Sequence, residues 1–217
     1  MSAATGTRRG GGSAPPRDRI GPNAITRLAE ALVGHGGPAL AAEVFGQAGL
    51  ARHLRRPPDT MVPEDEACRL HAALRERLGA QAPALARAAG TATADYLLAH
   101  RIPRPVQALL RWLPAPLAAR GLLAAMRGHA WTFAGSGRFE AAAGSGGRAT
   151  LTIRGNPLCR GQLALAPACD YYAATFERLF RVLVHPDCRV AEVACEARGD
   201  TACRFEVTRE APPKIRA

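Results

Sequence analysis

The sequence predicts an α+β fold in which a helical N-terminal half packs on an antiparallel sheet of about four strands. Three observations predict it. Apolar residues recur at helical spacing up to about position 127, the period falls to two from position 129 onward, and residues 189–208 alternate as a strand pair. Helices first, then two hairpins separated by one helix, places helices over one face of the sheet.

Residues 1–18 are rich in Gly, Ser, Pro and Arg and carry too little apolar surface to offset the entropy of ordering, so they read as a tail. The same reasoning makes 211–217 a flexible C-terminal tail and leaves 19–210 as one domain. Asn23 is the expected N-cap of a helix through Val33, with Ile25, Leu28, Ala29 and Leu32 on one face and Gly34 as its stop. Pro38 opens a second helix that reaches Gln47. Pro63, Glu64, Asp65 and Glu66 put negative charge at the start of a helix to Leu78, whose stripe is Ala67, Leu70, Leu74 and Leu78. Further helices are expected over 83–100, 104–112 and 116–127.

Strands are expected over 129–142, with Trp131 and Phe133 on one face, and over 148–154, with Leu151 and Ile153 inward. The glycines of 144–147 form the turn between them; no helix follows, which argues against a phosphate cradle. A helix over 167–184 carries Tyr172, Phe176, Leu179, Phe180 and Leu183 as one apolar stripe. In the final hairpin Val193, Cys195, Ala197, Cys203, Phe205 and Val207 are expected to face inward, and Glu192, Glu196, Arg204, Glu206 and Thr208 outward. The turn falls at Arg198, Gly199 and Asp200, which would set Cys195 against Cys203 with Cβ atoms roughly 4.5 to 5.5 Å apart.

The charge narrows the partners. A net charge of +11 comes from 28 Arg and the single Lys214, a basic surface suited to carboxylate ligands or acidic lipid. Aromatic residues make up only 5%, and zinc-finger, RNP and basic recognition-helix patterns are missing, so nucleic acid is not an expected partner. No stretch approaches the ~20 apolar residues of a membrane span, and no apolar run follows Arg8 and Arg9. The expected location is the cytoplasm, with peripheral contact at the inner membrane as the second candidate.

Four motifs precede the hairpin: IGPNA (20–24), DYLLAHRIP (95–103), HAWTFAG (129–135) and NPLCRG (156–161). With Cys195-x3-Gly199-Asp200-x2-Cys203-x-Phe205 they resemble the vinyl-4-reductase domain family, and in particular its bacteriochlorophyll-synthesis members, labelled 4-vinyl reductases. The resemblance implies a small-molecule-binding domain related in fold to lipid-binding subunits of a Golgi transport complex. It also implies work on a tetrapyrrole.

Reduction of a vinyl group needs hydride from a nicotinamide or flavin, or electrons from a metal cluster. The sequence has neither a GxGxxG between strand and helix nor any CxxC. The expected function is therefore binding of a Mg-tetrapyrrole, Mg-protoporphyrin or its monomethyl ester, by a carrier that serves enzymes of the Mg branch; nicotinamide and flavin are not expected. The alternatives are a vinyl reductase acting on a divinyl intermediate and a scaffold that only contacts proteins. A homodimer is a further candidate association.

A planar Mg-porphyrin requires apolar walls, cations and an imidazole. Trp131, Phe133, Tyr171, Tyr172 and Phe176 are candidate walls, and Arg101, Arg104 and Arg127 are candidate carboxylate partners. His129 is the candidate axial ligand and His100 its substitute, although each also stands where a helix end would use an imidazole to cap carbonyls. Five of the six cysteines follow position 155. His185, Cys188, Cys195 and Cys203 are candidate zinc ligands, with Cys159 or Cys169 as alternative partners of the last two.

Overall fold

A computed structural model describes residues 18–209; the expected tails lie outside the described residues, apart from Asp18. Strand β1 (Arg19–Ile20) pairs antiparallel with β2 (Val62–Pro63), which ties the beginning of the chain to the helix that follows β2. Helix α1 (Asn23–Gln47) is two helices in one, broken where Gly36 and Gly37 leave helical geometry just before Pro38. The first therefore runs past Gly34, the expected stop, because an isolated glycine weakens a helix without ending it. Pro22, and not Asn23, occupies the N-cap position. The short α2 (Arg52–Arg55) follows.

Helices α3 (Glu64–Leu78), α4 (Ala82–His100), α5 (Arg104–Trp112) and α6 (Ala115–Gly128) start within a residue or so of the predicted positions. Pro63, Pro103 and Pro114 stand immediately before α3, α5 and α6 in extended conformation, the conformation from which a helix begins cleanly. The 129–135 stretch departs from expectation. Trp131–Ala134 is one turn of helix, α7, and the strand β3 starts only at Arg138–Ala143. Phe133 thus reaches the core from a helical turn and meets Phe139 edge-on, ring centroids 5.0 Å apart.

Strands β3, β4 (Ala149–Arg154), β5 (Cys188–Ala194) and β6 (Cys203–Arg209) make one antiparallel sheet in the order β3-β4-β6-β5. Helix α8 (Asp170–Leu183) lies across its inner face and buries Tyr171, Tyr172, Phe176, Leu179, Phe180 and Leu183. Against them the sheet sets Leu151, Ile153, Phe205 and Val207, all buried. Helix α4 lies behind α8. A Cβ on Gly90 would stand 2.1 Å from the Tyr171 carbonyl oxygen, so only glycine permits this approach; Thr175 Oγ1 donates to the Gly90 carbonyl at 3.0 Å and seals it.

His71, on α3, is enclosed in this packing with 2% of its surface exposed. Its Nε2 lies 3.2 Å from the Ala24 carbonyl, and its ring meets Tyr171 edge-on at 5.2 Å. Burial, with Arg75 assisting, lowers its pKa to about 3. The unfolded chain therefore takes up a proton near the ordinary histidine pKa while the folded chain does not, and stability is lost as pH falls from about 6.5 toward 3. Between pH 7.5 and 5 this single group should cost about 2 kcal/mol. Denaturant unfolding at the two pH values should show His71→Gln losing less stability than the wild type by that amount; equal losses would remove the buried neutral imidazole as the cause.

Candidate functional site

Three segments converge at one end of β4 and β6. The first is the connection 155–169, which leaves β4 and delivers Cys159 and then Cys169 at the start of α8. The second is the connection 195–202, which leaves β5 at Cys195, makes a helical turn over Glu196–Arg198 and reverses at Gly199 with φ of 93°. The third is the beginning of β6 at Cys203, paired with Ile153 of β4.

Four buried sulfurs meet there. Cys203 Sγ stands 3.4 Å from Cys159 Sγ, 3.5 Å from Cys169 Sγ and 4.0 Å from Cys195 Sγ, and Cys169 lies 3.8 Å from Cys195. All four fall within 4.8 Å of one another. A tetrahedral Zn2+ with four thiolates at ~2.3 Å needs sulfurs about 3.8 Å apart, so the spacing found is that of a four-cysteine zinc site. No pair is a disulfide.

The surroundings hold this geometry from outside. Glu196 accepts the backbone N–H groups of Gly155 at 2.6 Å and Asn156 at 2.7 Å, one with each carboxylate oxygen. Asn156, fully buried, accepts from Leu158 N at 3.0 Å and points its amide at Cys169 Sγ at 3.2 Å. Arg75 donates to the Leu158 carbonyl. Arg160 bonds Glu64 at 2.7 Å. Burial pushes the Glu64 carboxyl up, but hydrogen bonds from Ser136 and Arg160 outweigh it and hold it below its usual range. The loop carrying Cys159 is thus pinned to α3 as well as to the hairpin.

The backbone N–H of Glu196 points at Cys203 Sγ at 3.4 Å, and such N–H groups stabilise thiolate charge. Shared S–H donors, Cys159 first, pull the Cys195 thiol far below its ordinary range and push Cys169 and Cys203 above theirs. Four thiols crowded in this way favour loss of protons to a cation that all of them can bind. Glu192 adds a negative group at the edge: its Oε2 accepts from Cys169 N at 2.8 Å, its Oε1 has no partner, and burial raises its pKa to about 8.

The expected outward place of Glu192 is therefore corrected. A register shift between Glu192 and Ala194 reverses the alternation of β5, so Cys188 and Val190 face inward with Glu192. Nor do Cys195 and Cys203 pair across the ladder, since β6 opens opposite Ile153 and Cys195 lies in the connection. Their sulfurs converge because the connection folds back. Of the expected zinc ligands, Cys195 and Cys203 join Cys159 and Cys169, whereas Cys188 sits at the far end of the ladder opposite Arg209. His185, three residues before it, has Nδ1 3.5 Å from Asp187.

The expected pigment residues divide in two. Phe133, Tyr172 and Phe176, with Phe139 and Phe205, form a closed cluster with neighbouring ring centroids 5.0 to 6.4 Å apart. Tyr172 donates its hydroxyl to the Phe133 carbonyl at 2.6 Å, and Tyr171 shares a 2.9 Å hydrogen bond with Thr93. These rings fill the space between helix and sheet, and the expected slot between them is occupied by side chains. His129, Trp131 and Arg127 instead lie at the surface where α6 ends. His129 Nδ1 is 2.9 Å from the Ala125 carbonyl and Arg127 donates to the Ala141 carbonyl at 3.0 Å. His100 lies exposed against Tyr96, at 4.8 Å between centroids, and Arg101 stands 6.0 Å from the same ring. Arg104 is exposed at the start of α5.

The vinyl-4-reductase domain family matches residues 149–209, the segment that carries all four sulfurs. The chain is 46% identical over 189 residues to the bacteriochlorophyll synthase 23 kDa chain of Cereibacter sphaeroides, covering 87% of this chain and 90% of that one. To the chain of the same name from Rhodobacter capsulatus it is 44% identical over 199 residues, covering 89% and 91%. The protein belongs to this family of bacteriochlorophyll synthase 23 kDa chains. Among solved structures, an H-NOX protein from K. algicida matches with TM-score 0.60 at 9% identity, over 91% of this chain and 100% of that one. An H-NOX protein studied for heme distortion matches at 0.55 and 13%, covering 91% and 99%. At such identity the likeness is one of fold.

If the four sulfurs bind Zn2+, protein purified under reducing conditions should contain one equivalent by elemental analysis. Cys203→Ser and Cys159→Ser should lose the metal together with stability on the order of several kcal/mol, and Cys188→Ser should keep it. Wild type that is metal-free and takes up none on addition, or zinc lost with Cys188, would refute the assignment.

Proposed function

We propose that this protein is an accessory chain of bacteriochlorophyll synthesis that carries a Mg-tetrapyrrole, such as Mg-protoporphyrin or its monomethyl ester, and presents it to enzymes of the Mg branch. The name shared by two relatives alike over almost their whole length supports the pathway and an association with its enzymes. The H-NOX likeness supports the ligand class only so far as a fold that in one relative by structure accompanies heme.

The observation that carries the reading is the state of His129. Its Nδ1 meets the Ala125 carbonyl at 2.9 Å. A carbonyl only accepts, so Nδ1 bears the proton and the neutral ring keeps its Nε2 lone pair free. An imidazole whose inner nitrogen is tied to a backbone carbonyl is oriented for a metal on the outer one. The ring is exposed, with Trp131 41% exposed two residues on, so a macrocycle would lie on the surface at the end of α6 and not in an enclosed slot. Arg127, at the same helix end, offers a cation for a propionate.

The sulfur cluster has a separate part. Four protein ligands would leave no open position on zinc, which is the form of a structural site and not of a catalytic one. It would hold the loop, the hairpin and the start of α8 together while the helical end handles pigment.

Titration with Mg-protoporphyrin, followed by absorbance and Trp fluorescence, should show saturable binding that His129→Ala weakens at least tenfold, about 1.4 kcal/mol. Metal-free protoporphyrin should bind both proteins alike. If His129 serves only as a helix cap, the variant will lose melting temperature and keep its affinity. Turnover of a divinyl substrate by the pure protein with NADPH or ferredoxin would replace the carrier with a reductase.

A further inference from the structure

Helix α5 is unusually one-sided for its position. Of its nine residues only Gln107 and Leu110 are buried, and Gln107 spends its amide on the carbonyls of Leu98 and Ile102 at 2.6 and 2.7 Å. The outer face presents Val106 at 44% exposure, Leu109 at 56% and Trp112 at 87%, and Leu117, at the start of α6, adds 47%. Along a helix, positions 109 and 112 lie one turn apart on one side, with 106 a turn earlier. Large side chains are left in water here although the rest of the helix end packs normally on α6 and α8.

The charge around them has one sign. Between Asp95 and Glu140 the sequence holds six arginines and not one Asp or Glu. Arg104 and Arg111 flank the apolar face on α5, Arg101 precedes it, and Arg120 follows one turn after Leu117; all four are exposed. Among the described residues, none of the four forms an ion pair. Elsewhere arginines find carboxylates readily, as Arg27, Arg77 and Arg178 do. An apolar edge with an interfacial Trp, rimmed by cations and free of anions, is complementary to a negatively charged lipid surface. A second copy of the chain would bring the same positive rim against itself, which argues against self-association at this face.

We propose that the α5–α6 corner, through Val106, Leu109, Trp112 and Leu117 with Arg101, Arg104, Arg111 and Arg120, docks the protein on an anionic phospholipid bilayer. No helix among the described residues is long and apolar enough to cross a membrane, so the contact is peripheral. It stands independently of the pigment reading, because it uses neither His129 nor Trp131.

Flotation of the full chain with vesicles tests it. An equimolar phosphatidylglycerol–phosphatidylcholine mixture should carry the protein upward and pure phosphatidylcholine should not, and added salt should release it. Arg104→Gln with Arg120→Gln should lower the partition coefficient roughly thirtyfold. Leu109→Ser with Trp112→Ser should lower it at least tenfold. All four positions are exposed, and an unchanged circular dichroism spectrum and melting temperature would confirm that each double variant is folded. The proposal is overturned if the wild type fails to float with the anionic vesicles, if it floats equally on phosphatidylcholine, or if either double variant floats as the wild type does. It is also overturned if sedimentation velocity shows a dimer that the Leu109/Trp112 variant abolishes while vesicles recover none of the wild type.

Discussion

The convergence of four sulfurs from separate parts of the chain is the constraint on which the sheet end of this molecule depends. Cys159 and Cys169 come from a fifteen-residue connection with no regular structure of its own, 155–169, a length at which an unsupported loop wanders. Cys195 and Cys203 come from the other hairpin. Without a common centre, the order of the loop rests on Glu196, Asn156, Arg75 and Arg160 alone. With a cation shared by four thiolates, the loop, the reversal at Gly199 and the first turn of α8 become one unit, and the like-charge crowding of the thiolates is relieved.

Because the sheet end is closed in this way and the aromatic face of α8 is packed on Leu151, Phe205 and Val207, function is displaced to the helical end. Phe133, Phe139, Tyr172 and Phe176 are better explained as core than as walls, since each already has aromatic neighbours at edge-to-face or stacked distances. What remains open to a large ligand is the surface around the end of α6. The apolar edge of α5 lies on the other side of that same helical unit. A carrier that rests on lipid and holds an amphipathic pigment at its surface uses both ends of α6 for related chemistry.

Much of the fold was legible because its punctuation is local. Proline before a helix start, acidic residues at 64–66 and the period-two pattern of β4 and β6 each act within a few residues, and these elements fall where expected. Trp131 and Phe133 misled because β-type composition competes poorly with a tertiary demand, here the packing of Phe133 against Phe139 from a helical turn. The inward turn of Glu192 depends on a bulge, for which residues 188–194 carry no signal. The sulfur site was half legible: Cys195 and Cys203 follow from the hairpin, and the crowding of cysteines after position 155 pointed to a local group. Choosing Cys159 and Cys169 over His185 and Cys188 required the path of the long loop and the length of β5, whose seven residues carry Cys188 roughly 23 Å from Cys195 at ~3.3 Å per residue.

The most direct test of this account is X-ray absorption at the zinc edge of the purified, reduced protein. Four sulfur neighbours near 2.3 Å are the expected first shell. A shell dominated by nitrogen or oxygen, or the absence of zinc from protein expressed with the metal available, would contradict it.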